Sequence, residues 1–167
     1  MGLVQVATNT VTSAVASVTL TTINTDDVYM VALNNVAGTA DANFNMRVTT
    51  SSTADSDSEY DKASEVLKAN TSFGTTSDEN EAQWRINSTV GTDTGEQTNH
   101  ILYLYNFNNS SEYSFYTNES AKLNASAVLE GYQGGGVHTV TETNDGVNFF
   151  FTSGNIESGT FTLYKVV

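Results

Sequence analysis

The stretch His100–Thr117, HILYLYNFNNSSEYSFYT, decides the fold. In a strand, alternate side chains point to opposite faces, so Ile101, Tyr103, Tyr105 and Phe107 share one face and Leu102 and Leu104 the other. A strand apolar on both faces needs cover on both, which places it inside a sandwich or against a partner. Asn108, Asn109, Ser110 and Ser111 are turn formers, and a second aromatic run follows them. The two runs therefore predict an antiparallel hairpin. This is a core signal and carries no catalytic pattern.

Working outward, short strands punctuated by polar turns continue in both directions. Upstream, Ser13–Ile23 alternates as a half-buried strand, and Val28–Leu33 is apolar on both sides. Residues 43–49 put Phe44, Met46 and Val48 inward, with Asn45 and Arg47 outward. A strand is expected to start at Tyr60, while residues 50–59 and 74–82 read as polar loops. Trp84 shares a face with Ile86. Downstream, 126–133 reads as a strand ending at Gly134-Gly135-Gly136. Asn144-Asp145-Gly146 predicts a hairpin between 137–143 and 147–152, and 159–166 closes the chain. The expected fold is all-β: an antiparallel β-sandwich of jelly-roll type with about nine or ten strands. Residues 1–12 are expected to be an N-terminal arm or edge strand, and 13–167 the sandwich domain.

The totals narrow the function. At 167 residues the chain is one domain with room for a core. Only 15% of residues are charged and nearly all of those are acidic, giving a formal charge of −13. Six Lys and Arg residues are too few to grip a phosphate backbone, so direct nucleic-acid binding is not expected. The same balance disfavours an anionic membrane surface. Without cysteine there is no disulfide, thiol nucleophile or Cys-based metal site. No signal-peptide pattern opens the sequence, so use without cleaved export is the expectation.

Candidate chemistry is thin. His100 and His138 stand as isolated strand residues and read as structural; no cofactor or metal is expected. No Gly-x-Ser-x-Gly elbow exists, and no pair among the nineteen acids stands out as a glycosidase pair, so the chain is expected not to be an enzyme. Asp55, Asp57, Glu59 and Asp61 alternate in one loop but lack the EF-hand glycine and glutamate spacing, and read as a solvated acidic loop. Asp78, Glu79 and Glu81 read the same way. Flat rings at Trp84, Tyr113, Tyr116 and Tyr132 offer a glycan-stacking alternative.

Five blocks carry a resemblance: Asp26–Val36 (DDVYMVALNNV), Ile101–Ser120 (ILYLYNFNNSSEYSFYTNES), Leu129–Val137 (LEGYQGGGV), Asp145–Phe151 (DGVNFFF) and Asn155–Tyr164 (NIESGTFTLY). In this order they resemble small β-rich virion proteins of tailed bacteriophages, especially marine and cyanobacterial ones. The resemblance implies a non-enzymatic structural component of the virion, assembled in the host cytoplasm. A capsid decoration or cement protein on the particle surface is the first expectation. A tail or fibre component that recognises a host-surface glycan is the second. Long apolar strands with no Pro to blunt their edges favour a homo-oligomer, most simply a trimer, bound to the major capsid protein or another virion protein. The expected interface comprises Leu3, Val4, Val6 and Val11 of the N-terminal segment, with Tyr103 and Tyr105.

Overall fold

The central hairpin forms, but the expected turn residues Asn108, Asn109, Ser110 and Ser111 open its second strand, and the break between the strands falls at Asn106 and Phe107. In the computed structural model, which describes residues 2–70 and 72–167, strand β9 (Thr98–Tyr105) runs antiparallel to β10 (Asn108–Leu123), with Tyr105 opposite Phe115 and Tyr103 opposite Thr117. Met1 of the expected arm and Thr71 lie outside the described residues. Leu102 and Leu104 are fully buried. Phe107 departs from the expected face. Asn106 adopts a left-handed backbone (φ 58°), a conformation Asn tolerates, and this turns Phe107 into the core.

Around this hairpin lie β1 (Leu3–Val11), β2 (Ser17–Thr21), β3 (Tyr29–Gly38), β4 (Ala42–Thr50), β5 (Thr53–Ala54), β6 (Tyr60–Lys68), β7 (Phe73–Glu81), β8 (Trp84–Val90), β11 (Leu129–Thr143), β12 (Gly146–Phe151) and β13 (Ile156–Val166). That makes thirteen strands, and no helix, among the described residues. The large sheet has the order β1-β13-β3-β9-β10-β11-β6-β7; the small one has β2-β12-β4, with β5 and β8 both on the open side of β4. All recorded pairings are antiparallel. Eight strands carry a jelly-roll winding: β1-β13-β3-β9 faces β2-β12-β4-β8, and the chain alternates between the two sheets except at the β4-to-β8 and insert steps. Two inserts, β5–β7 and β10–β11, supply the remaining strands, and four of them widen the large sheet beyond β9.

The apolar core lies between the sheets. Val18, Leu20, Phe44, Met46, Val48, Val147, Phe149 and Phe151 of the small sheet meet Tyr29, Val31, Leu33, Leu102, Leu104, Phe161 and Leu163 of the large one. The inward and outward faces predicted for Phe44–Val48 hold, although Asn45 is itself buried.

Three local expectations change. Residues 74–82 lie almost wholly within β7, an edge strand of polar sequence held by its ladder to β6; pairing makes the strand where hydrophobicity gives no hint. Asn144-Asp145-Gly146 is a crossing between sheets and not a hairpin, because β11 belongs to the large sheet and β12 to the small one. The Asp145 carboxylate accepts from Thr49 Oγ1 at 2.6 Å and Ser52 N at 2.7 Å, and a Cβ on Gly146 would sit 2.2 Å from the Leu20 carbonyl oxygen. Glycine is needed there for close approach. Gly134–Gly136 likewise does not end a strand: it lies mid-β11, where Cβ atoms would strike the Ala63, Tyr116 and Asp61 carbonyls of the flanking strands.

Candidate functional site

Two regions concentrate chemistry, and the outer face of the large sheet is the first. Around the central hairpin, Tyr103, Ile101, Phe115 and Tyr113 are 39, 40, 43 and 44% exposed. The ladder puts Tyr103 opposite Met30 and Phe115 opposite Tyr105 and Val137, so the rings form one continuous apolar band. A shallow depression lined by Ile101, Tyr103, Thr117, Glu119 and Gln133 lies within it. Glu119 and Glu112 border the band with negative charge. A smaller apolar cluster, Leu67, Phe73 and Leu129, sits at the far end of the same sheet, where Leu67 pairs with Phe73.

The expected interface residues divide. Tyr103 lies in the exposed band, with Tyr105 half-buried beside Phe115. Leu3 and Val4 are exposed on β1, the edge strand paired to β13. Val6 is half-buried, and Val11 is a core residue because β1 is laced into the sheet and its end turns inward. Of the proposed glycan contacts, only Tyr113 reaches the surface. Trp84, Tyr116 and Tyr132 are buried beneath the large sheet. Trp84 Nε1 donates to the carbonyls of Asp61 and Val137, both at 3.2 Å, and Tyr132 hydrogen-bonds Ser88 through its hydroxyl. Gly136 leaves the room that Trp84 occupies. The four rings therefore do not meet on one surface.

The second is the buried polar interior, where the two histidines lie apart, His100 opposite Ser120 and His138 opposite Ser114 of β10, and differ sharply. His100 is satisfied at both nitrogens: Nε2 with Thr98 Oγ1 at 2.9 Å and Nδ1 with Asn118 Oδ1 at 2.8 Å. Burial pushes its pKa down to about 4, against the pull of Asn118. His138 faces carboxylates instead. Its Nε2 lies 3.1 Å from Asp55 Oδ2 and 3.4 Å from Glu59 Oε2, and its Nδ1 lies 3.9 Å from Glu142 Oε1. Burial, then Asp55, raises the Glu59 carboxyl above the usual range. The acidic loop at 55–61 is thus partly folded onto the protein: Asp57 N caps Asp55 Oδ1 at 2.9 Å, and Asp55 Oδ2 turns to His138. Spacing in the sequence could not show this, because Asp55 and His138 are 83 residues apart.

Charged side chains also lie on the inner face of the widened sheet. Glu130 pairs with Lys68 at 2.9 Å and Lys122 at 3.1 Å. Asp78 takes Arg85 at 2.9 Å with Lys62 nearby at 3.5 Å. Burial pushes Lys122 down, whereas for Glu130 burial is outweighed by hydrogen bonds from Lys68, Asn124 and Lys122, which hold it below the usual carboxylate range. These groups are consumed by one another, as structural ion pairs are.

No protein-family model, no curated protein and no solved structure matches the chain.

Proposed function

We propose that this chain is a non-enzymatic structural subunit of a bacteriophage particle, of the capsid decoration or cement type, which self-associates through the outer face of its large sheet. The observation that carries the reading is the band of Ile101, Tyr103, Tyr113 and Phe115. It lies exposed on the hairpin whose opposite face fills the core. Exposed apolar bands of this kind mark contact surfaces, and a second copy of the chain supplies the matching apolar surface. The order of the phage-like sequence blocks supports the particle setting.

Sedimentation of the purified chain across a salt series tests it. The expected result is an oligomer whose share grows with salt, because screening weakens repulsion between chains of formal charge −13. A Tyr103→Ser/Phe115→Ser variant is expected to fold and to sediment as a monomer. A wild-type chain that stays monomeric at every concentration and salt, and fails to bind capsids, would sink the reading.

A further inference from the structure

Among the described residues, His138 joins Asn45, Asn87 and Glu130 as buried side chains with a polar atom that has no hydrogen-bond partner, and it is the one of the four that faces a carboxylate cluster. The imidazole is fully buried, packed against Tyr60 and 4.8 Å from that ring's centroid. Its Nε2 stands between two carboxylates, Asp55 and Glu59, so this nitrogen carries a hydrogen; a lone pair there would face only other lone pairs. Nδ1 has no hydrogen-bond partner among the described residues. It points toward Glu142 Oε1 at 3.9 Å, too far for a hydrogen bond. In the neutral ring, a buried lone pair and a carboxylate oxygen therefore face each other at 3.9 Å, an arrangement that favours a cation.

The geometry suits one. Asp55, His138 and Glu142 each bring a donor atom within 4.8 Å of the others. Two atoms bound at about 2.0–2.1 Å to one tetrahedral ion lie roughly 3.4 Å apart, so Nδ1 and Oε1, now at 3.9 Å, need only close by about half an ångström. Glu142 is partly open to solvent and offers a path inward. Its Oε1 is steadied by Thr50 Oγ1 at 3.1 Å.

We infer that His138 Nδ1 and the Glu142 carboxylate hold a divalent transition cation of the Zn²⁺ class, with water completing its shell. Asp55 accepts the Nε2 hydrogen and aims the ring. A carboxylate behind a ligating histidine in this way fixes its tautomer and raises its basicity. Imidazole as a ligand selects Zn²⁺ and its neighbours over the oxygen-seeking Ca²⁺ and Mg²⁺. The inference stands apart from the particle reading, since it uses the inner face of β11 and not the exposed band.

The test uses the tag-free full chain, stripped with chelator and titrated with Zn²⁺, with Ca²⁺ in parallel. The expected result is one saturable equivalent of Zn²⁺, a raised melting temperature and no comparable effect of Ca²⁺. In ¹⁵N spectra of the histidine rings, His138 should shift on Zn²⁺ addition while His100, occupied at both nitrogens, stays still. Glu142→Gln, at a partly exposed position that leaves the core untouched, should abolish saturable binding. Asp55→Asn should weaken it roughly tenfold or more. Absence of saturable Zn²⁺ binding overturns the inference. So does binding that Glu142→Gln leaves unchanged, or that moves the His100 ring and not the His138 ring.

Discussion

The two halves of the large sheet are closed by different physics. Under β13, β3 and β9 the interior is apolar: Val31, Leu33, Leu102, Leu104, Phe161 and Leu163 meet the aromatic rows of the small sheet. Under β10, β11 and β6 a ring cluster of Tyr60, Trp84 and Tyr116 is mixed with buried polar and charged side chains, and the small sheet approaches there at β8. Side chains stitch this second contact together. Asn118 Nδ2 donates to the Ile86 carbonyl at 3.2 Å, and Lys122 Nζ to the Thr89 carbonyl at 2.6 Å. Trp84 and Arg85 reach back from β8 to the widened sheet. Because β4 pairs with β8 along one side only, backbone carbonyls on β8's other side need partners, and the extension supplies them. The jelly-roll half closes by excluding water; the added half closes by satisfying an edge strand.

That contrast is broken most severely at the residue that belongs to both halves. Trp84→Ala removes the largest fully buried side chain and leaves the Asp61 and Val137 carbonyls without their donor. The expected loss is about 4 kcal/mol, read as a drop in the denaturant midpoint. Next comes the ionic half. Glu130→Gln strips the countercharge from buried Lys122, and a loss of roughly 3 kcal/mol is expected. Replacing both, Lys122→Met with Glu130→Met, should cost markedly less, because an apolar pair needs no partner. If the double variant is as unstable as Glu130→Gln, the ionic half is held by that pair in a way the contrast does not allow.

The same division explains what could be read from the chain. Strands of the apolar half announce themselves by alternation, and Phe44–Val48 and Leu102–Leu104 lie where their periodicity put them. The extension is legible only in part: the second aromatic run lies in β10 and a strand does begin at Tyr60, but β7 is polar and β11 is interrupted by glycine. Nothing in FGTTSDENE signals a strand until β6 lies beside it, and Gly134–Gly136 imitates a stop while it makes room for Trp84 and two neighbouring backbones. Asn144-Asp145-Gly146 imitates a hairpin because the same residues suit a tight turn and a close crossing. The aromatic rings at Trp84, Tyr116 and Tyr132 look alike in sequence to Tyr113; only the register of the widened sheet separates buried from exposed. The His138 cluster needs β5, β6 and β11 assembled before any of it exists.

An effect of comparable size follows from pH. His100 keeps a pKa of about 4 in the fold against an ordinary 6.5. Below pH 6.5 the unfolded chain takes up a proton that the native chain refuses. The stability contributed by the neutral ring is therefore complete above 6.5, falls as pH falls, and stops falling near 4. The whole window amounts to about 3 kcal/mol at this site. Urea unfolding of wild type and His100→Gln between pH 7 and 4.5 measures it, and the variant should show the flatter profile. An unchanged slope would mean that the buried histidine of the apolar half does not set acid sensitivity.

The smallest expected effect on stability is at the face that points away from both interiors. Tyr103→Ser removes a ring that packs beside Met30 and Thr117 on the outer surface and leaves Leu102 and Leu104 in place. Partial exposure limits the apolar area lost, so the monomer should change by no more than about 1 kcal/mol. Leu102→Ala, one residue away on the inward face, should cost about 3 kcal/mol. The pair divides one strand into its two tasks. If the chain associates through this band, Tyr103→Ser loses the oligomer and keeps the fold, whereas Leu102→Ala weakens the fold itself. Should Tyr103→Ser prove as damaging to unfolding midpoints measured at monomer concentrations as Leu102→Ala, the outer ring would be part of the protein's own core after all. The exposed band would then lose its claim to be a contact surface.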